Sequence, residues 1–300
     1  MRKKSILQVR GNRLLLGQKT WLMGIINVTP DSFSDGGLYF NKEKAVDRGL
    51  ELAEEGANII DIGGESTRPG SDFISTEEEL MRTVPVISAL RKKTDVLISV
   101  DTTKSEVAEA ALDEGADIIN DISSFRFDPK MLSLAAQKDI PVILMHMKGT
   151  PKNMQLNPFY EDLLAEIRGF LEERIATAQA YGIKKEKIII DPGIGFGKSL
   201  KDNLTLIKSL KFLEPIDRPI LIGISRKSFI GKILSLPPQE RTEGTIASAV
   251  LSIINGAHIL RVHDVEAVKR AVLITEAIID ESMHPFSFSD NEEKKSSYVC

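Results

Sequence analysis

The chain has 300 residues and a formal net charge of −4, from 39 Lys and Arg residues against 43 Asp and Glu residues. Proteins that bind nucleic acids need a basic stripe that displaces counterions from phosphates, and this balance argues against such a surface. The one cysteine, Cys300, excludes a disulfide framework and a cysteine metal site within the chain, so we expect a reducing compartment, the cytoplasm.

No membrane or export segment is predicted. Residues 1–19 scatter Arg and Lys among single apolar residues, which is unlike the uninterrupted apolar core of a signal peptide. The most apolar stretch, residues 246–262, contains Ser, Asn, Gly, His and Arg, and so falls short of the ~20 clean residues of a membrane span. The length alone is compatible with one domain or two.

The first predicted element is a small hairpin. Two short apolar segments, 6–9 and 13–16, flank Arg10, Gly11 and Asn12. Glycine and asparagine tolerate the left-handed backbone that a tight turn needs, so these residues indicate a β-hairpin. We expect it to plug the bottom of the domain that follows and to have no chemical role.

After the hairpin, apolar runs rich in Ile and Val alternate with longer helical patterns. The runs are apolar throughout, which is typical of strands that helices bury on both faces. The predicted strands are 22–27, 58–61, 96–100, 117–120, 142–145, 187–190, 220–222 and 257–262. Predicted helical stretches between them include 42–55, 76–92, 104–114, 160–181, 200–210 and 242–255.

Eight strand and helix units over about 260 residues predict an α/β protein, a (β/α)₈ TIM barrel with a short N-terminal β-hairpin. The alternative is a doubly wound open sheet, which leaves two or three strands as extras. We expect one domain over 1–283 and a mobile tail over 284–300, where periodicity is lost.

Local signals support several helix ends. Ser75 and Glu78 predict a capping box at the start of one helix. Three glycines, Gly56, Gly115 and Gly182, follow predicted helices as C-terminal stops.

Hydrogen-bonding side chains follow all eight predicted strands, where the active site of a barrel enzyme lies. They are Asn27, Asp61, Asp101, Asn120, Asp121, His146, Asp191, Arg226, Lys227, Arg261 and His263. Taken singly, Asp61 and Asp121 are best interpreted as N-caps of the next helix. That interpretation explains Asp191 poorly, because the glycine-rich residues 193–197 are no helix start.

Three basic side chains at the last two strands suggest an anionic ligand. Arg261 and His263 are two positions apart on one strand and point to the same side, and Lys227 directly follows a buried strand. A buried strand carries basic side chains at its end where that face of the strand contacts water or binds an anion. Without a nearby cysteine and with four dispersed histidines, the sequence does not favour a classical zinc site.

Two long loops mix glycine hinges with polar side chains, a composition typical of lids that close over substrate. They span residues 27–37, with Phe33 near the middle, and 63–70, with Arg68 near the middle.

The glycine-rich segment 193–199 fails two phosphate-binding motifs. A P-loop needs its first glycine where Pro192 stands, and the dinucleotide fingerprint needs its last glycine where Lys198 stands. The glycines still indicate a backbone that passes close to something flat or crowded.

The collinear segments together resemble the bacterial dihydropteroate synthases, from Met23 to about Ile279. They are MGIINVTPDSFSDGG from Met23, GGESTRPG from Gly63, SVDTTK from Ser99, INDIS from Ile119, LMHMKGTPKNMQ from Leu144, DPGIGFGKS from Asp191, GISRKSFIG from Gly223 and ILRVHDV from Ile259. The resemblance implies a transferase that joins 6-hydroxymethyl-7,8-dihydropterin diphosphate to 4-aminobenzoate, giving 7,8-dihydropteroate and diphosphate in folate biosynthesis. It also implies a homodimer formed through outer helices, and a target of sulfonamides, which are aminobenzoate analogues.

The resemblance assigns roles to individual positions. The implied pterin site consists of Asp101, Asn120, Ile122, Met145, Asp191, Gly223 and Lys227. The implied diphosphate site consists of Arg261, His263 and Asn27, the last through Mg²⁺. The implied aminobenzoate side consists of Phe33, Thr67, Arg68, Pro69, Lys227 and Ser228.

The chemistry of these residues fits the implied reaction. Carboxylates and an amide complement the donors and acceptors of a pterin edge, and cations suit a diphosphate. An arylamine is neutral at pH 7 and needs no dedicated base. We therefore expect dissociative loss of diphosphate, assisted by Mg²⁺, Arg261 and His263, with Asp101 stabilising a methylene cation before the arylamine attacks.

Two related functions remain as alternatives. Pterin-binding methyltransferases that pass a methyl group to a corrinoid protein have no diphosphate to anchor, so Arg261, His263 and the segment 67–69 argue against them. A noncatalytic pterin-binding subunit would have lost the diphosphate groups that this chain keeps.

Overall fold

The computed structural model describes residues 2–29, 38–68 and 70–280. An antiparallel hairpin precedes eight strands that pair in parallel. The hairpin consists of β1 (Ser5–Val9) and β2 (Asn12–Leu16). The parallel strands are β3 (Trp21–Asn27), β4 (Ile59–Gly63), β5 (Leu97–Asp101), β6 (Ile118–Asp121), β7 (Val142–Met145), β8 (Ile188–Asp191), β9 (Leu221–Gly223) and β10 (Ile259–Val262).

The eight parallel strands close into a barrel. Their order is β8-β7-β6-β5-β4-β3-β10-β9, and a parallel bridge between Ile190 and Ile220 joins the two ends of this order. The TIM barrel predicted from the sequence is therefore confirmed. The open doubly wound sheet is excluded, because it would leave β8 and β9 as unpaired edges.

Helices cover the outside of the barrel and separate consecutive strands. Within the described residues they are α1 (Leu38–Glu55), α2 (Thr76–Arg91), α3 (Ser105–Asp113), α4 (Lys130–Lys138), α5 (Leu163–Ala180), α6 (Leu200–Lys208), α7 (Ser228–Leu234), α8 (Thr242–Ile254) and α9 (Val265–Ile279). The helix predicted from residue 160 begins at Leu163, because Asp162 caps it by accepting a hydrogen bond from the backbone N–H of Ala165. None of the helices in this described part is long and apolar enough to cross a bilayer.

The predicted caps are found with one difference. Ser75 accepts from the backbone N–H of Glu78, but the Glu78 carboxylate pairs with Arg82 one turn later. The predicted capping box is therefore wrong in its second half. A full capping box occurs at α6, between Ser199 and Asp202. The three predicted glycine stops all have left-handed backbone, with φ from 97° to 106°.

The hairpin seals the bottom of the barrel, as predicted. Leu7 and Leu16 pack against inward-facing apolar side chains from seven strands: Met23, Ile59, Ile118, Ile143, Ile189, Leu221 and Ile259. Nearby, His258 accepts a hydrogen bond from the backbone N–H of Ile220 at Nδ1, and its Nε2 lies 2.7 Å from the carbonyl oxygen of Lys3. The acceptor at Nδ1 puts the ring proton on Nε2, so the His258 ring binds the start of the chain in its neutral form. The predicted tail over 284–300 lies outside the described residues.

Candidate active site

A polar layer lies directly above the apolar floor. Side chains of a strand alternate between inside and outside, so two positions beyond Ile59 the next inward residue is Asp61, and two beyond Ile259 it is Arg261. The same step leads to Asn120 from Ile118 and to Asp191 from Ile189. These groups meet at the C-terminal ends of the strands, where the active sites of barrel enzymes lie.

A small pocket opens at this end of the barrel. Its lining residues are Thr67, Asn120, Ile122, Met145, Asp191, Ile194, Phe196, Gly223, Lys227 and Arg261. Six of the seven positions that the resemblance assigns to pterin are in this set, and the seventh, Asp101, contacts Arg261. Apolar walls with a few convergent polar groups are typical of a small-molecule site.

Arg261 is held between two carboxylates. Its Nε lies 2.6 Å from Oδ2 of Asp61, and its Nη2 lies 2.7 Å from Oδ2 of Asp101. Burial alone would lower the pKa of Arg261, but these two carboxylates raise it above its ordinary value. The sequence suggested a locally positive cluster. In the structure the charge of Arg261 is neutralised by acidic neighbours that are up to 200 positions away in the chain.

Asp61 is not a helix cap, so that interpretation was wrong. It lies inside β4, is fully buried, and its partners are side chains: Arg261 and the Nδ2 group of Asn120, 3.2 Å away. Asp121 does hold backbone N–H groups, those of Ser123 and Phe125, but they belong to a turn and not to a helix.

Two further carboxylates lie in the polar layer. Burial raises the pKa of Asp101 to about 7; Arg261 opposes this shift and the Asp61 carboxylate adds to it. Burial also raises the pKa of Asp191, although Asp191 accepts a hydrogen bond from the backbone N–H of Gly193 at 2.7 Å. The protonation of both carboxyl groups is thus sensitive to the charge of a bound ligand.

Lys227 lies on the wall of the pocket. Its ammonium is 4.3 Å from the centre of the Phe196 ring, and burial together with Arg261 lowers its pKa to about 8. The next residue, Ser228, begins α7 and is exposed. Arg226 does not join the pocket lining, because its guanidinium pairs with Asp264.

His263 is oriented by Ser225. Oγ of Ser225 accepts the backbone N–H of His263 at 3.2 Å and lies 3.0 Å from Nδ1 of the ring. The serine O–H is thus available to donate to Nδ1, which leaves Nε2 as a donor. Burial and the nearby Arg226 and Arg261 lower the pKa of His263 to about 3, so the ring is neutral. Asn27 ends β3, the neighbour of β10, and therefore lies on the same side of the barrel.

The loop after β4 is held at its base. Arg82 donates to the carbonyl oxygen of Gly64, and Lys104 forms ion pairs with Glu65 and with the buried Glu79. Thr67 then reaches the pocket wall.

Two described residues predicted on the aminobenzoate side, Arg68 and Ser228, are not in the pocket lining. The Arg68 side chain is exposed. Phe33 and Pro69 lie outside the described residues, as does most of the first predicted lid loop.

The glycine-rich loop after β8 supplies pocket residues that sequence reasoning missed, Ile194 and Phe196. A side chain at Gly193 would collide with the carbonyl oxygen of His146, so the expected close approach is confirmed. Buried Lys198 contacts Nδ1 of His146 at 2.9 Å and donates to the carbonyl oxygen of Phe196 at 2.9 Å. His146 therefore supports this loop and is not in the pocket lining.

The polar side chains at this end of the barrel suit a magnesium ion that is bound by few protein atoms. Within residues 2–29, 38–68 and 70–280, no three His, Cys, Asp or Glu side chains form a group that could hold a metal. Mg²⁺ commonly keeps several waters and binds through one or two protein oxygens together with substrate phosphates. Asn27 ends a strand that pairs with β10, and its amide oxygen is a donor of the kind that suits Mg²⁺.

Comparison with known proteins agrees with this geometry. The family described as pterin binding enzyme matches residues 23–263. The dihydropteroate synthase of Synechocystis sp. is 49% identical over 263 residues, 87% of this chain and 91% of the relative.

Solved structures agree as well. The Xanthomonas albilineans dihydropteroate synthase with 4-aminobenzoic acid has a TM-score of 0.86 and 45% identity, covering 92% of this chain and 99% of that chain. The same enzyme in complex with 7,8-dihydropteroate has a TM-score of 0.83 and 43% identity, covering 91% and 98%.

Proposed function

The chain belongs to the pterin-binding enzymes and, within them, to the dihydropteroate synthases, and on this premise we propose its reaction and the roles of its residues. The enzyme is a transferase that condenses 6-hydroxymethyl-7,8-dihydropterin diphosphate with 4-aminobenzoate, releasing diphosphate and 7,8-dihydropteroate. The relative from Xanthomonas albilineans has been solved with 4-aminobenzoic acid and with 7,8-dihydropteroate, which supports the same substrate and product here.

The pterin ring occupies the polar layer of the barrel. Asp101, Asn120, Asp191 and Lys227 present acceptors and donors to its edge, and Ile122, Met145 and Gly223 pack near its faces. The observation that carries this assignment is the convergence of Asn120, Asp191, Lys227 and Arg261 in one pocket above a sealed apolar floor. Buried polar groups select ligands that pair them and reject those that leave them unpaired.

The diphosphate binds at the ends of β10 and β3. Arg261 and the neutral donor His263 hold its oxygens, and Asn27 would hold a Mg²⁺ ion that accompanies it. When bound, Mg²⁺ supplies positive charge that stabilises the diphosphate as a leaving group. This role requires Arg261 to exchange part of its pairing with Asp61 and Asp101 for the ligand.

Aminobenzoate enters above the pterin. Thr67 and Lys227 line the wall where it would lie, beside Phe196. Ser228, Arg68, Phe33 and Pro69 complete this side in the proposal.

The reaction we propose is dissociative. The bond between the pterin methylene carbon and the bridging oxygen breaks, and the oxygen keeps the electron pair. Asp101, as a carboxylate, stabilises the resulting methylene cation. The arylamine nitrogen then donates its lone pair to that carbon and releases one proton to solvent water.

Incubating the purified chain with both substrates and Mg²⁺ tests this function. Dihydropteroate and diphosphate are expected in equal amounts, and neither should form when the pterin diphosphate is omitted. Methyl transfer from methyltetrahydrofolate in place of this reaction would support the methyltransferase alternative, and pterin binding without turnover would support the noncatalytic one.

Assembly as a homodimer completes the proposal. The adjacent helices α8 and α9 expose several large apolar side chains to solvent: Leu251, Ile254, Leu273, Ile274 and Ile278. Exposed apolar patches commonly mark interfaces between chains. Ile278→Glu is expected to convert a dimer to a monomer in light scattering, whereas Met81→Glu, an exposed apolar position on α2, should leave the mass unchanged.

The remaining parts of the proposal concern organisation. One pterin-binding domain covers residues 1–283, and the enzyme works in the cytoplasm. The lone cysteine supports a reducing compartment.

A further inference from the structure

Asp61 has an unusual position for a carboxylate. It lies in the middle of β4, its side chain points into the barrel, and it is 0% exposed. A buried carboxylate without partners is strongly unfavourable, so its partners show what its charge does.

These partners are two residues of the proposed substrate site. Arg261 donates from Nε to Oδ2 of Asp61 at 2.6 Å, and Asn120 donates from Nδ2 to the same oxygen at 3.2 Å. Asp61 itself is not in the pocket lining, whereas both partners are. It therefore acts on a ligand only through them.

The contact with Asn120 has a chemical consequence. A carboxylate can only accept hydrogen bonds, so the amide nitrogen of Asn120 must face Asp61. The amide oxygen is then the atom that is free to face the ligand, and it presents an acceptor to the pocket. Without Asp61, the two orientations of the amide would differ little in energy.

We propose that Asp61 is a positioning residue that fixes the orientation of the Asn120 amide, so that the pocket presents an acceptor to an N–H group of the pterin ring. The same carboxylate shares the guanidinium of Arg261 with Asp101. The inference rests on the proposed function for the identity of the ligand, and the orientation of Asn120 is its own content.

The test uses Asp61→Asn in the full chain. An asparagine at position 61 can donate or accept, so it no longer selects one orientation of Asn120. Calorimetry with 6-hydroxymethylpterin, which carries no diphosphate, is expected to show affinity weakened by about 10- to 100-fold, since mispaired buried groups have effects of this size. Inorganic diphosphate with Mg²⁺ should bind within about threefold of wild type, because Arg261 keeps Asp101 as a partner.

A double-mutant cycle identifies the route of the effect. In an Asn120→Leu background, Asp61→Asn should no longer change the affinity for 6-hydroxymethylpterin, because the amide through which it acts is absent. Asp121→Asn is the matched control: it removes an equally buried carboxylate whose partners, Ser123 and the backbone N–H of Phe125, lie outside the pocket lining. Its pterin affinity should equal that of the wild type.

Several outcomes overturn the inference. Unchanged pterin affinity in Asp61→Asn, an equal loss of pterin and diphosphate binding, or additivity with Asn120→Leu would each do so. If Asp61→Asn does not fold, Asp61→Glu replaces it, because it displaces the carboxylate by one methylene. The same result is expected, a weaker affinity for the pterin with a nearly unchanged affinity for diphosphate. A wild-type protein that binds pterin but forms no dihydropteroate refutes the proposed function and leaves the cycle on binding intact.

Discussion

Gly223 offers a test of the pocket that is separate from folding. It ends β9, lines the pocket, and a Cβ built on it has no atom within 4 Å. Its φ is not in the left-handed region. Gly223→Ala should therefore fold as well as the wild type or gain up to about 1 kcal/mol, because alanine has less conformational freedom in the unfolded chain.

The added methyl group takes up space in the proposed pterin site. Overfilling a tight site costs about 1–3 kcal/mol, which corresponds to a rise in KM of about 5- to 150-fold for the pterin diphosphate. The assay is diphosphate release at saturating aminobenzoate, with urea unfolding alongside. Gly169→Ala is the matched control, because Gly169 is exposed on α5 and its Cβ also meets nothing. An unchanged KM in Gly223→Ala would refute the assignment of the pocket to the pterin.

Two other predictions concern stability. Burial lowers the pKa of His258 to about 4, so the unfolded chain binds a proton that the native state excludes, and stability falls with pH from about 6.5 towards 4. His258 contributes about 2 kcal/mol to the difference in unfolding free energy between pH 7 and pH 5. His258→Gln should therefore reduce that difference. Equal differences in the wild type and the variant would contradict the reasoning. Lys104→Met should cost about 3 kcal/mol at pH 8, because it leaves Glu65 and Glu79 buried without their cation. Urea unfolding of Lys104→Met should show a partial recovery on adding Glu65→Gln, and no recovery would count against the ion pair.

The barrel was predictable from the sequence because its signal is local. Each strand is a short apolar run between helical patterns, and this is visible within ten residues. The predicted C-terminal ends are short by one or two residues at β4, β5, β6, β8 and β9. A polar residue such as Asp101 suggested the end of a strand, whereas a barrel interior can bury it beside a partner from another strand, here Arg261.

The pairings of the site could not be predicted. The partners Asp61 and Arg261 are 200 positions apart, and no local pattern reports a contact of that kind. Asp61 therefore resembled an ordinary helix cap. Phe196 did leave a signal, the dense glycines around it, which indicated close packing but not the pocket. Lys198 left none, because one of its acceptors is the backbone carbonyl group of His146 in another loop.

The hairpin that closes the bottom of the barrel also limits where substrates enter and products leave. In the part of the chain that the structure describes, Leu7 and Leu16 fill the space between the strands, so the polar layer is closed on that side. Both substrates and both products must then pass through the opening at the opposite end of the barrel. In the proposed arrangement the pterin lies deepest, so it must bind before aminobenzoate and cannot leave while another molecule lies above it.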